Sequence, residues 1–269
     1  MESEWKRVSP SNPCPVCGKT DWCSVAVNGS AVICPRVETN SVAYIEGSGW
    51  LHKFGKNPDT KPRFKAVPKQ LPEHNAVMAE IFNKMRKQIS PEEVMSLSKD
   101  VGVSEKSLNK LSVGYSNGRD AYAFPMTRKG RRLVGIRYRT RTGSKFAAKG
   151  SKQGLFVPSN FSYEKGVVVC EGPTDTAAML DLGLNAVGRP SCNSGGLLIK
   201  EIAKGLPVAI ISDKDDVGRA GSKKLAELLI KGNKTRVCII EPKSGKDARE
   251  WVHKGATKKE VLLAIKEAS

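Results

Sequence analysis

The sequence predicts a multi-domain α/β chain, and three observations carry that expectation. Four of the seven cysteines fall within residues 1–57, the positive charge concentrates in residues 1–165, and residues 166–269 alternate apolar strand runs with amphipathic helices. The expected order is a cysteine module at 1–57, a flexible linker at 58–74, a helical plus basic β segment at 75–165, and a parallel-sheet α/β domain at 166–269.

The composition narrows the class. A chain of 269 residues with 39% apolar side chains and four Trp can build two or three modest cores. No apolar run approaches the roughly 20 residues of a membrane helix, which excludes spanning by a helix. The opening MESEWKRVSP lacks an apolar signal segment, so a cytoplasmic location is expected. Lys and Arg total 45 against 27 Asp and Glu, a net charge of +18. Residues 1–165 carry 28 basic and 14 acidic side chains, and the stretch Arg119–Lys152 has 11 basic residues against the single acid Asp120. A mixed solvated surface does not look like this; a polyanion, most simply nucleic acid, accounts for it. There is no G-x-x-x-x-G-K-[ST] loop, so no ATPase motor is expected.

The cysteines come first along the chain. Cys14, Cys17, Cys23 and Cys34 follow C-x2-C-x5-C-x10-C, with Gly18 turning the backbone toward the first pair. Val25–Ile33 reads as a hairpin about a two-residue Asn28-Gly29 turn. Partners across that turn have numbers summing to 57, as Cys23 and Cys34 do. Opposed thiols at that separation suit one tetrahedral, structural Zn²⁺, so a zinc ribbon is expected. Four buried structural thiols, or disulfides, are the competing readings, and disulfides fit poorly without a secretory signal. His52 reads as buried rather than ligating, and Cys170, Cys192 and Cys238 read as core.

After the Pro- and Lys-rich linker, Ile81, Met85 and Ile89 recur at four-residue spacing on a helix. Ser90-Pro91-Glu92-Glu93 starts another, and Ser104 with Ser107 opens a short third. Strands follow at Ala121–Met126 and Leu133–Thr140, separated by Arg128-Lys129-Gly130. Alternation along the second puts Arg137, Arg139 and Arg141 on one face, where they would hold the phosphates of a single strand.

Beyond residue 165 the strands Gly166–Cys170, Asn185–Val187, Pro207–Ile211 and Arg236–Ile240 alternate with helices, which predicts a mostly parallel sheet covered on both faces. Glu171 follows the first strand, and Asp213 and Asp215 follow the third. Open parallel sheets bind ligands at the carboxyl ends of strands, so these acids should converge there. Crowded carboxylates need a counter-charge, and Mg²⁺ or Mn²⁺, two ions in the expected arrangement, would provide it while clamping a phosphoryl transfer. The bland alternative is helix capping, which suits Asp175 or Asp216.

The pattern E-G-x-x-D after a strand, then D-x-D-x-x-G after a later one, resembles the Toprim domain of primases, topoisomerases and related nucleases. Arg131–Pro158 is similar to the basic segment that precedes Toprim in bacterial and phage replicative primases, and Lys246-Asp247 resembles the K-D pair that follows it. The resemblance implies metal binding by Glu171, Asp213, Asp215 and Asp247, with Glu171 also in proton transfer. It implies template or nucleotide contact at Lys145, within a basic set of Arg131, Arg137, Arg139, Arg141, Lys145, Lys149 and Lys152. Two departures are visible. The zinc ligands are not spaced as the usual C-x2-H with a later C-x2-C, and Arg249 stands where the family often has a second Asp after the K-D pair.

The expected function is therefore a DNA-dependent RNA primase acting on a single-stranded DNA template with NTPs, with a replicative helicase in trans and an origin in a phage or mobile element among the contexts. A Toprim nuclease and a non-catalytic zinc-containing DNA-binding or recombination protein are the alternatives. A topoisomerase would need a nucleophilic Tyr, and none of the five Tyr stands in a recognisable motif.

Overall fold

The structure, a computed structural model, describes residues 5–46, 48–54, 72–231 and 236–269. Most of the expected linker, residues 58–71, lies outside the described residues. The chain forms two compact units that divide between Leu71 and Pro72.

The N-terminal unit is an antiparallel sheet of β1 (Trp5–Arg7), β2 (Ser24–Ala26), β3 (Ala31–Cys34), β4 (Ala43–Ile45) and β5 (Gly49–Lys53), in the order β1-β2-β3-β5-β4. Pairing of Ser24 with Ile33 and Val25 with Val32 is the register expected from the sequence. The turn differs. The strands stop at Ala26 and Ala31, leaving a four-residue loop in which Gly29 N–H donates to Ala26 O at 2.8 Å and Gly29 alone takes a left-handed φ of 70°. Asn28 turns its side chain inward to accept from Ser30 N and Oγ, an Asx-type arrangement that competes with the tighter turn. Both loops share one centre, so the cysteine pairing survives the error. One face of the sheet gathers Ala26, Ala31, Ile33 and Leu51, the other Val8, Cys14, Cys23, Val32 and Cys34. Gly49 permits this packing, because a Cβ there would lie 2.6 Å from the Pro35 backbone.

The second unit opens with α1 (Pro72–Gln88), α2 (Pro91–Val101) and α3 (Glu105–Lys110). Ser90 and Ser104 cap the last two as expected, accepting from Glu93 N and Ser107 N. On α1 the buried stripe is Met78, Phe82 and Met85, while Ile81 is largely exposed. The expected stripe through Ile81 is thus corrected: a helix of 3.6 residues per turn follows mixed three- and four-residue steps.

Next comes an antiparallel sheet of β6 (Gly114–Ser116), β7 (Ala121–Arg128), β8 (Arg132–Thr140) and β9 (Lys145–Ala147), in chain order. Ala121, Ala123, Ile136 and Tyr138 pack against α1 on one face. Tyr122, Phe124 and Met126 face the other way, into a core shared with α2, α3 and the C-terminal part. Alternation then fixes the arginines: Arg137 pairs with Phe124 and Arg139 with Tyr122, so both lie on the side opposite α1.

The remaining residues build β10 (Val167–Glu171), α4 (Pro173–Asp181), β11 (Ala186–Arg189), α5 (Gly196–Ile202), β12 (Val208–Ile211), α6 (Asp216–Ile230), β13 (Val237–Ile240), α7 (Ala248–His253) and α8 (Lys258–Glu267). The four strands are all parallel, in the order β11-β10-β12-β13. Val167, Val169, Val208 and Ile210 pack with α5 and α6, whereas Val168, Cys170, Ile211 and Ile240 pack with α4, α7 and α8. Burial on both faces explains the unbroken apolar runs in the sequence. The short α7, unmarked by periodicity, is held by buried Trp251. Among the described residues no helix is long and apolar enough to cross a membrane.

Candidate functional site

The thiols of Cys14, Cys17, Cys23 and Cys34 all lie within 4.8 Å of one another. Cys17 Sγ is 3.6 Å from Cys23 Sγ, which is 3.8 Å from Cys34 Sγ. Four sulfurs each about 2.3 Å from a tetrahedral Zn²⁺ would be separated by about 3.8 Å, so the arrangement fits that ion. Two turns build it. Gly18 N donates to Cys14 O and Cys14 N to Lys19 O, which curls the chain so that the Lys19 N–H faces Cys17. After Cys34, the N–H groups of Arg36 and Val37 face its thiol. Burial and the neighbouring sulfurs push Cys23 well up and Cys34 up to about 11, a cost that a bound cation removes. Arg36, paired with Asp21 at 2.7 Å, also reaches Cys23 Sγ at 3.5 Å. His52 is buried and bonded to Val37 O through Nε2 at 2.9 Å, a supporting role.

The second site forms at the carboxyl edge of the parallel sheet. Glu171 ends β10, Asp213 and Asp215 follow β12, and Asp247 follows β13 before α7. Asp213 feels Glu171, Asp175, Asp247 and Asp215 together, so the expected acids do converge electrostatically. Burial, and then that crowd of like charges, pushes Asp213 up to about 8. Asp213 accepts no side-chain hydrogen bond among the described residues. Asp215 and Asp247 each use one oxygen to cap a helix, at 2.6 Å from Gly218 N and 2.7 Å from Glu250 N. Capping therefore falls on these two rather than on Asp216, which is fully exposed, or on Asp175 for its own helix. Among the described residues, the carboxylates are not drawn together as tightly as the thiols.

The basic residues divide. Arg137 is felt by Glu171, and Arg139 by Asp100, Asp175 and Arg249, so both overlook the acids. Lys145 pairs with Arg139 across β8 and β9 and is felt by Glu171 and Asp175. Arg141, expected with them, is committed elsewhere. It bonds Glu93 at 2.7 Å and Asp120 at 3.0 Å and lies over the rings of Tyr115 and Tyr122. Arg131 donates to Ser159 O. Lys149 is exposed and Lys152 half-buried in the segment after β9.

Two residues that sequence reasoning left out belong to this site. Asp175 is buried on α4, raised to about 7 by burial and by Asp247, and accepts from Arg249 N at 3.2 Å. Its signal was present as the last letter of E-G-x-x-D. Arg189 pairs with Glu171 across β11 and β10 and is 3% exposed. One guanidinium nitrogen donates to Cys192 O at 2.7 Å, while Nε has no partner among the described residues. Burial pulls its pKa down and Glu171 pulls it back up, and in return Arg189 and the Cys192 N–H offset the burial that raises Glu171. A basic residue ending a strand beside an acid was the only cue.

No protein-family profile and no curated protein sequence matches the chain. Solved structures do. The zinc-binding and RNA polymerase domains of the Aquifex aeolicus primase superpose on 100% of this chain and 81% of theirs, with a TM-score of 0.58 and 16% identity. A DnaG primase catalytic domain bound to single-stranded DNA covers 72% of this chain and 78% of its own, with a TM-score of 0.57 and 16% identity. The primase fragment of the bacteriophage T7 primase-helicase protein covers 94% and 97%, with a TM-score of 0.50 and 16% identity. With its cysteine module, basic antiparallel sheet and acid-edged parallel sheet in that order, the chain has the fold of the bacterial and phage primases.

Proposed function

We propose that this protein is a DNA-dependent RNA primase of the Toprim type, and the observation that carries the reading is the placement of Arg137 and Lys145 near Glu171, and of Arg139 and Lys145 near Asp175, at the sheet edge where Glu171 and Asp175 also act on Asp213. Nucleotidyl transfer needs that pairing: cations to hold template and triphosphate, and carboxylates where charge develops. The single-stranded DNA template lies against Arg137, Arg139 and Lys145, with Arg131, Lys149 and Lys152 extending the basic track, and is held through phosphates.

Glu171, Asp213 and Asp215, with Asp247 nearby, would hold Mg²⁺ or Mn²⁺, which would supply positive charge for the triphosphate oxygens. The protein's own share is positioning. Glu171, half-buried and raised by burial, is placed to take the proton of the attacking 3′-hydroxyl. The new bond forms to the α-phosphate of the second NTP, and pyrophosphate leaves. Zinc on the four cysteines would hold the N-terminal sheet together, and a replicative helicase is the partner such a primase calls for.

Incubation with single-stranded DNA and four NTPs tests the proposal. Short primers that vanish in Asp213→Asn support it; nicked DNA would assign a Toprim nuclease instead, and neither product would leave a DNA-binding protein.

A further inference from the structure

The acids at the sheet edge fall into two halves that the chain treats differently. In one half, Asp247 spends Oδ1 on Glu250 N and faces Arg249 with Oδ2, 3.9 Å from a guanidinium nitrogen. Asp175, in the same half, accepts from the backbone N–H of Arg249. The guanidinium is itself fixed from behind, donating to Val101 O at 3.3 Å. Asp247 is thus ion-paired with the Arg249 guanidinium, whose charge Asp175 also feels, and that guanidinium is anchored on the backbone.

The other half has none so close. Asp213 accepts no side-chain hydrogen bond among the described residues, and Asp215 is exposed with only Oδ1 engaged. Glu171 is flanked by Arg189, whose Nε is buried without a partner. Arg189 offsets part of the burial cost of Glu171 and also feels Asp213, but among the described residues no ion pair ties it to either.

We infer that this cluster takes one divalent cation on Glu171, Asp213 and Asp215, with Arg249 standing as a built-in counter-charge over Asp175 and Asp247 in place of a second ion. The inference rests on the reading of Glu171, Asp213 and Asp215 as metal ligands. A guanidinium gives the Asp175–Asp247 pair positive charge at a fixed position and without depending on metal concentration.

Titration of the zinc-loaded full chain with Mn²⁺, followed by the electron paramagnetic resonance signal of the free ion, counts the sites without reference to activity. One Mn²⁺ per chain is expected. Asp213→Asn should weaken it by about tenfold or more, on the scale by which altered metal surroundings change affinity. Asp247→Asn, which keeps the α7 cap, should leave the count at one, and Arg249→Asp should add a second ion. Two ions in the unaltered protein, one of them lost in Asp247→Asn, would overturn the inference while leaving the primase reading intact. If Mn²⁺ does not bind and Asp213→Asn still makes primers, the primase metal site itself is wrong.

Discussion

In the N-terminal unit four thiols sit within 4.8 Å of one another, whereas at the edge of the parallel sheet five carboxylates share a field without closing on a common centre. The thiols are placed by two turns and a hairpin register, all local, and every Sγ turns inward. The carboxylates come from β10, α4, β12 and β13, and two of them are partly spent on helix caps. A structural metal centre completes its shell from the protein alone, while the catalytic centre proposed at the acids would keep positions open for substrate. Arg189 beside Glu171, and Arg249 beside Asp175 and Asp247, offset part of the crowded negative charge of the second site.

The largest effect expected from breaking this contrast is at the thiols. Structural zinc contributes an apparent 10–16 kcal/mol in small modules, so Cys34→Ser should lose the metal and the ordered N-terminal sheet. Zinc content by elemental analysis and near-ultraviolet circular dichroism report this; a full equivalent of zinc in the variant would refute the four-cysteine assignment. At the acids, Asp213→Asn should leave the fold unchanged and lower primer synthesis by about a thousandfold or more, since a metal ligand is asked for several kcal/mol of charge stabilisation. Helix capping cannot mimic that loss, because Asp213 caps nothing. Near-normal synthesis by a stable, DNA-binding Asp213→Asn protein would remove the metal role.

A smaller effect follows from pH. Asp175 and Asp213 are raised in the folded protein, to about 7 and about 8, from an ordinary 3.8. Between those limits the folded state binds more protons than the unfolded chain, so their contribution to stability is full below about pH 4 and is lost as pH rises through 7 and 8. In divalent-free buffer the second unit should melt several degrees lower at the upper end of that window than near the lower end, and Mg²⁺ should recover more of the loss at the higher pH. Melting curves at paired pH values, with and without Mg²⁺, decide it. A melting temperature that rises across the window would contradict the crowded-acid geometry.

Legibility in the sequence followed the range of the interaction. The parallel sheet, the cysteine register and the strand-end positions of Glu171 and Asp213 were readable because each is a local pattern of period, turn or strand end. The Val27–Ser30 loop was misjudged because the Asn28 side chain competes for the turn, and α7 went unseen because six residues carry no period. Asp175 and Arg189 were missed for another reason. Their roles arise only when α7 docks on α4 and β11 pairs with β10, contacts between residues far apart in the chain.

The same limit separates three arginines that the strand period groups together, and the smallest expected effect tests it. Arg137, Arg139 and Arg141 alternate correctly, yet Arg141 lies beyond the end of β8 and is tied to Glu93, Asp120 and two tyrosine rings. Its charge is already matched, so an arriving phosphate would have to displace two carboxylates. Arg139 faces Arg249 as well as Asp175, so its surplus charge is still available. Each phosphate contact on single-stranded nucleic acid contributes about 0.7 to the slope of log affinity against log salt. Arg139→Ala should therefore flatten that slope by roughly one contact, about equally for all template sequences. Arg141→Ala should leave the slope unchanged and instead lower the melting temperature, because it strips the partner from Glu93 and Asp120. Binding isotherms at several salt concentrations, run beside melting curves, distinguish the two. If Arg141→Ala flattens the slope as much as Arg139→Ala does, its ion pairs open on binding and the three arginines act as one phosphate track after all.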